Sequence, residues 1–344
     1  MSRVRIGVVG GGHLGRIHTR LLKGLPEFDL VAVAEPVAET RQAIAEQFGV
    51  ATVADYHVLA GQVDAIVIAS PTSLHYSMAL WALRHGLHTF VEKPLVKSQQ
   101  EARELNRLAS KQGCVLQVGH VEQFNPAWTT SAEYIQSPHI IEAVRESSYT
   151  GRSTDIGVVL DLMIHDLDLI LSVETSDVIS VDAKGWSVLG QHEDIAQARI
   201  EFASGCAANV RASRISRSLT RRMQIFSPEA QVDIDFGANT SDVVRTSREV
   251  MAKQWQADML PATERLQVKD QLFSRWMPHQ RLEIQPANAI ELELVDFGRA
   301  IRTGSVPKVD GRQAERVLGV AERILQTIHY ADSQPATIPM TRAA

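Results

Sequence analysis

The sequence predicts an α/β protein in two parts: an amino-terminal doubly wound domain with a parallel sheet, then an α+β domain with a mostly antiparallel open sheet. Three observations carry this reading. Up to about residue 121, short β-branched runs alternate with helical stretches, the pattern of repeated βαβ units. A glycine-rich turn follows the first run. Beyond residue 121 the text changes to longer strands with two-residue alternation, so the expected domains are 1–121 and 122–335.

In order, the predicted strands of the first domain are RIGVVG (5–10), LVAVAE (30–35), AIVIAS (65–70), HTFVEK (88–93) and VLQVGH (115–120). Ile17 to Gly24, Ala38 to Gly49 and Leu74 to Gly86 read as helices between them. The second domain opens with a helix-like block, GVVLDLMIHDLDLILSV (157–173). In AQARIEFASGCAANVRASRIS (196–216) the Ser204-Gly205 pair separates two alternating runs, a hairpin signal. Residues 285–303 and 311–330 read as amphipathic closing helices, and 238–284 carries no clear pattern.

The totals exclude several classes. With 35 basic and 40 acidic residues the net charge is −5, which offers no footprint for nucleic acid or an anionic membrane. No run approaches the ~18 apolar residues of a membrane helix, and the amino terminus lacks a signal-peptide pattern. Only Cys114 and Cys206 are present, which fits a reducing compartment, so a cytoplasmic protein is expected. No spacing among His13, His18, His120 and His192 resembles a ligand set, and no metal is expected.

Gly10, Gly12 and Gly15 form G-x-G-x-x-G between a strand and a helix, with His13 and Leu14 in the same turn. The first glycine permits the tight bend, the second lets backbone approach a pyrophosphate, and the third allows close helix packing. Glu35 ends the second strand, where an acid can accept hydrogen bonds from the ribose hydroxyls and would repel a 2′-phosphate. The expected domain is therefore of the Rossmann type, and NAD is favoured over NADP. Ligands of such sheets lie beyond the carboxyl ends of the strands, which places Ser70, Pro71, Thr72 and His75, and then Glu92, Lys93 and Pro94, on the cofactor side.

These motifs resemble those of the glucose-fructose oxidoreductase, inositol dehydrogenase and MocA (Gfo/Idh/MocA) family, whose strand-end E-K-P is matched by Glu92-Lys93-Pro94, and the resemblance covers nearly the whole chain. It implies that Lys93 reaches the substrate oxygen beside the nicotinamide and that the Lys-Pro peptide is cis. The family's D-x-x-x-H motif is matched by Asp161 and His165. Four apart on a helix, the two would share one face, and Asp161 could fix the imidazole's tautomer and stabilise its charged form. The bland alternative is a satisfied core histidine. Asp166 and Asp168 read as structural acids. Together the residues describe oxidation of a secondary alcohol: His165 removes or relays the hydroxyl proton, and Lys93 stabilises the developing alkoxide. Family members differ in whether the lysine itself transfers the proton.

GHVEQFNPA (119–127) and Arg152 before DIGVVLDLMIHD resemble family members that act on UDP-sugars, notably UDP-N-acetylglucosamine 3-dehydrogenases, with Gln123 in place of their usual arginine. Asn125 could bond sugar hydroxyls or simply form a turn before Pro126. Arg211, Arg214, Arg217, Arg221 and Arg222 could supply cations for a diphosphate, with Arg214 and Arg217 favoured. The leading expectation is an NAD-dependent dehydrogenase of a UDP-N-acetylamino sugar acting at the 3-hydroxyl. The alternatives are a dehydrogenase of a free polyol or sugar such as inositol, and a non-catalytic dinucleotide sensor. An open antiparallel sheet face has to be covered, so a homodimer or homotetramer is expected.

Overall fold

The computed structural model describes residues 3–151, 155–253 and 256–333. Its first sheet has six parallel strands in the order β3-β2-β1-β4-β5-β6. They are β1 (Val4–Val9), β2 (Phe28–Ala34), β3 (Thr52–Val53), β4 (Ala65–Ile68), β5 (His88–Glu92) and β6 (Leu116–Gly119). Four helices cross between them: α1 (His13–Gly24), α2 (Ala38–Phe48), α3 (Thr72–Arg84) and α4 (Gln99–Gln112). All four residues of β4 are buried, as a strand covered by helices on both faces requires. Phe28 and Phe90 are fully buried in this core, each contributing roughly 1.5–3 kcal/mol relative to exposure. Ser98 caps α4 by accepting from the Glu101 amide, and Gly113 ends that helix with φ 65°. The two-residue β3 escapes the sequence pattern because it is too short to show a period.

The second sheet has eight strands in the order β14-β13-β12-β11-β7-β10-β9-β8. They comprise β7 (Ile140–Glu146), β8 (Val178–Trp186), β9 (Ile195–Phe202), β10 (Ala207–Ser213), β11 (Thr220–Phe226), β12 (Ala230–Asp235), β13 (Thr240–Arg245) and β14 (His279–Arg281). Every pairing is antiparallel except that of β7 with β10. The Ser204-Gly205 pair does turn the β9–β10 hairpin, with Gly205 at φ 91°. The helix-like block begins as a π-helical turn, Val159–Met163, and continues as α6 (Ile164–Val173), after the short α5 (Pro126–Ser131). The patternless stretch holds β13, β14, α7 (Arg248–Met251) and α8 (Ala262–Gln271).

Two closing helices follow. α9 (Ala289–Thr303) starts at a side-chain cap from Asn288 and stops at Gly304, and α10 is Gly311–Ser333. α10 packs on α4 and β6 of the first part and on α6 and β8 of the second, so this helix ties the two sheets together.

Candidate active site

A cavity of about 1070 Å³ runs along the carboxyl ends of the first sheet's strands and into the second part of the molecule. Its floor is the glycine turn. Gly10 has φ 104°, and a Cβ there would lie 2.6 Å from the Ala69 carbonyl oxygen. A Cβ on Gly15 would lie 1.9 Å from the Gly10 carbonyl oxygen, so the third glycine is demanded by the fold itself. Gly12 differs: a Cβ there would meet nothing within 4 Å. The protein leaves that space free, and α1 starts just beyond it with no side-chain cap and no acid in its first turn. Open space above unpaired helix amides is what a pyrophosphate requires. Gly11, which the motif treats as any residue, is also constrained, since its Cβ would be 2.4 Å from Ile44 Cδ1.

Glu35 is buried at the end of β2, accepting from the Gly11 amide at 2.8 Å and the Val37 amide at 2.9 Å. These bonds orient its carboxylate along the cavity wall. His13, Leu14, Ser70, Pro71, Glu92 and Lys93 also line the cavity. Thr72 and His75 do not. Thr72 opens α3, and buried His75 places its two ring nitrogens 2.8 Å from the Pro94 carbonyl oxygen and 2.9 Å from that of Ser70. It joins the segments that follow β4 and β5.

The Lys93-Pro94 peptide is cis. Lys93 Nζ donates to the Asp161 carbonyl oxygen at 2.6 Å and to Asp161 Oδ1 at 3.0 Å, bridging the two parts of the molecule across the cavity. Glu92 is not its partner: it accepts from or shares a proton with His18 Nε2 at 2.6 Å. Asp161 likewise is spent on Lys93. It sits in the π-helical turn that precedes α6, and both it and His165 line the cavity. His165 lines the same cavity with a buried Nδ1 that has no partner among the described residues. Burial, then the charges of Lys93 and Arg145, hold its pKa well below the ordinary histidine value, so the imidazole is neutral at pH 7.

Two arginines reach the cavity that the expected pair did not include. Arg145 on β7 is buried and donates to both oxygens of Asp166, at 3.0 and 2.8 Å, and to Glu122 at 2.8 Å. Arg221 on β11 is exposed and lines the cavity. Arg214 does not line it: its guanidinium is buried against Asp194 at 2.6 Å and the Ile156 carbonyl oxygen at 2.9 Å. Arg217 is exposed and also lies outside the cavity lining. Asn125 caps α5 through the Ala127 amide at 3.0 Å and donates to Glu122 at 2.9 Å, so turn formation accounts for it. Gln123 donates to buried Asp168 at 2.9 Å. Arg152 lies outside the described residues. A strand-borne arginine such as Arg145 gives no signal in sequence beyond an interrupted apolar alternation.

Among the described residues no group of His, Cys, Asp and Glu is arranged to hold a metal ion, and no helix is long and apolar enough to cross a membrane. The parallel sheet, the open glycine cradle and the lysine at the strand end define an NAD-dependent oxidoreductase. Comparison with known proteins narrows the class. A family model described as an oxidoreductase family with an NAD-binding Rossmann fold matches residues 4–120, and one described as the GFO/IDH/MocA C-terminal domain matches 128–232. The chain is 30% identical over 329 residues to UDP-N-acetylglucosamine 3-dehydrogenase of Acidithiobacillus ferrooxidans, covering 94% of this chain and 97% of that one. It is 30% identical over 233 residues to scyllo-inositol 2-dehydrogenase (NAD(+)) of Bacillus subtilis, covering 62% and 68%. A solved structure of the Acidithiobacillus enzyme superposes with a TM-score of 0.84 at 29% identity, over 96% of this chain and 99% of that one. The chain belongs to the Gfo/Idh/MocA family of oxidoreductases.

Proposed function

We propose that this protein oxidises a secondary alcohol of a nucleotide sugar, the 3-hydroxyl of a UDP-N-acetylamino sugar, with NAD as the acceptor. The observation that carries the reading is that Lys93 and His165 line the same cavity as the glycine cradle. Two of the three ammonium donors of Lys93 are placed by Asp161, which leaves one for the substrate oxygen. His165, uncharged at neutral pH, accepts the hydroxyl proton, and Lys93 stabilises the negative charge that develops on the oxygen. Bound NAD supplies the carbon that receives the hydride. The residues assigned to cofactor binding are Gly10, Gly12, His13, Leu14, Gly15, Glu35, Ser70, Pro71, Glu92 and Lys93. Arg221 replaces Arg214 and Arg217 as the candidate anchor for a diphosphate, because it lines the cavity and they do not.

The relationship to UDP-N-acetylglucosamine 3-dehydrogenase supports the choice of sugar. A free polyol such as an inositol is the second reading, favoured by the likeness to scyllo-inositol 2-dehydrogenase and by the small number of cations in the cavity. We place the protein in the cytoplasm as a homodimer or homotetramer, divided near residue 121, where the first sheet has just ended at Gly119. The test is appearance of NADH absorbance when NAD is mixed with UDP-N-acetylglucosamine, other nucleotide sugars, or inositols. Turnover with the nucleotide sugar, reduced by Arg221→Ala mainly through KM, is expected. Turnover with inositols alone would replace the first reading by the second, and none with any alcohol would overturn both.

A further inference from the structure

One acid in the cavity wall has no part in the chemistry above. Glu293 lies on α9, is 1% exposed, and lines the cavity together with Ile290. Its Oε1 is buried without a hydrogen-bond partner among the described residues. Gln117 of β6 donates to the Glu293 carbonyl oxygen at 2.9 Å, which pins this turn of α9 to the first sheet.

The groups around Glu293 leave it without a cation. The acids that bear on it are Glu92 from β5, Asp168 from α6 and Asp296 from its own helix. The nearby cations are committed elsewhere: Lys93 to Asp161, Arg145 to Glu122 and Asp166, and Lys308 to the Gln123 carbonyl oxygen. His18 is held by Glu92, and burial keeps His120 below its ordinary pKa. An ionised carboxylate buried in such company would be strongly unfavourable. Burial, then the repulsion of these acids, holds the Glu293 carboxyl well above the usual carboxylate range.

The location gives the group a use. The cavity wall includes Ser70, Glu92 and Gly119, at or just beyond the ends of β4, β5 and β6, and Glu293 adjoins them through Gln117 of β6 and the charge of Glu92. A cofactor whose ribose is held at Glu35 and whose pyrophosphate lies over Gly12 brings its nicotinamide into this stretch. A nicotinamide carboxamide carries one acceptor and one donor group. A protonated carboxyl carries one donor and one acceptor, whereas a carboxylate can only accept.

We propose that Glu293 recognises the nicotinamide carboxamide as an uncharged carboxylic acid, donating its O–H to the amide oxygen and accepting from the amide nitrogen.

The experiment compares binding of NADH with binding of ADP-ribose, which lacks the nicotinamide, to the wild type, Glu293→Gln and Glu293→Met. Glutamine preserves the neutral donor and acceptor, and methionine removes both. Glu293→Met is expected to weaken NADH about tenfold while leaving ADP-ribose unchanged, the latter also showing that the variant is folded. Glu293→Gln is expected to bind NADH within about twofold of the wild type at neutral pH. It should also lose the decline in NADH affinity that the wild type shows as rising pH ionises the carboxyl. Unchanged NADH binding by Glu293→Met, equal weakening of both ligands, or a Glu293→Gln defect as large as that of Glu293→Met would overturn the proposal. None of these outcomes depends on which alcohol the enzyme oxidises.

Discussion

At the scale of single residues, the glycine turn separates what the fold needs from what the cofactor needs. Gly15→Ala would push a methyl group to 1.9 Å from the Gly10 carbonyl oxygen, so it should lower the melting temperature as well as NAD affinity. Gly12→Ala meets nothing in the protein, at an extended backbone conformation that alanine tolerates. It should leave the melting temperature unchanged yet weaken NADH by about tenfold or more, roughly 1.4 kcal/mol, measurable by fluorescence titration. A weak effect of Gly12→Ala on binding would show that the pyrophosphate lies elsewhere. His165 supports a second prediction. Its folded-state pKa is depressed below the ordinary 6.5 while the unfolded chain takes up a proton near that value. Its contribution to stability is therefore present above that value and lost as the pH falls toward the folded-state pKa. The acid limb of kcat/KM should accordingly lie below about pH 6.5 and vanish in His165→Gln. A limb centred above pH 7 would assign the proton to another group. Lys93, Asp161, His165 and Glu35, all of which line the cavity, were singled out from sequence by strand-end positions and by resemblance to family motifs. Arg221 was legible only as one of five similar arginines, and Arg145 and Glu293 were not, because burial next to particular acids leaves no trace in spacing.

At the scale of elements, continuous apolar runs made β1, β4 and β5 readable, and the turn chemistry of Ser204-Gly205 located the β9–β10 hairpin. The π-helical turn at Val159–Met163 was unreadable, because a widened turn keeps the same apolar composition as the α-helix it interrupts. Asp161 within it bonds Lys93 of the other sheet, and both Asp161 and His165 line the cavity. Beside it, Arg145 clamps three elements, donating from β7 to Asp166 on α6 and to Glu122 in the turn after β6. The arrangement is almost wholly buried, with side-chain exposures of 4% for Arg145, 8% for Glu122 and 1% for Asp166. Arg145→Met would strand two acids without their cation, which should destabilise the protein by about 3–5 kcal/mol in urea titration. A change within about 1 kcal/mol would mean that solvent reaches these acids in the variant and that the clamp is dispensable.

At the scale of the whole molecule, the chain's order and its packing differ. The glycine cradle belongs to the first sheet and His165 to the second part, and the Lys93–Asp161 bridge joins them across the cavity. α10 then returns to lie on both, burying Ala314, Val317, Leu318, Ala321 and Ile324 against elements of each. Two sheets sharing one closing helix, one bridged cavity and one continuous apolar core should melt as one cooperative unit. NADH offers the test, since the glycine turn assigned to its pyrophosphate belongs to the first sheet. At one hundred times its Kd it should stabilise the native state by about 2.7 kcal/mol. If the coupling is tight, that gain must also appear in probes of the second part, such as the fluorescence of Trp276, which is buried there. The Trp276 signal and the far-ultraviolet circular dichroism should therefore melt together and shift upward together when NADH is added. Two separate transitions, with only the first responding to NADH, would show instead that α10 holds the two sheets together without making them fold as one.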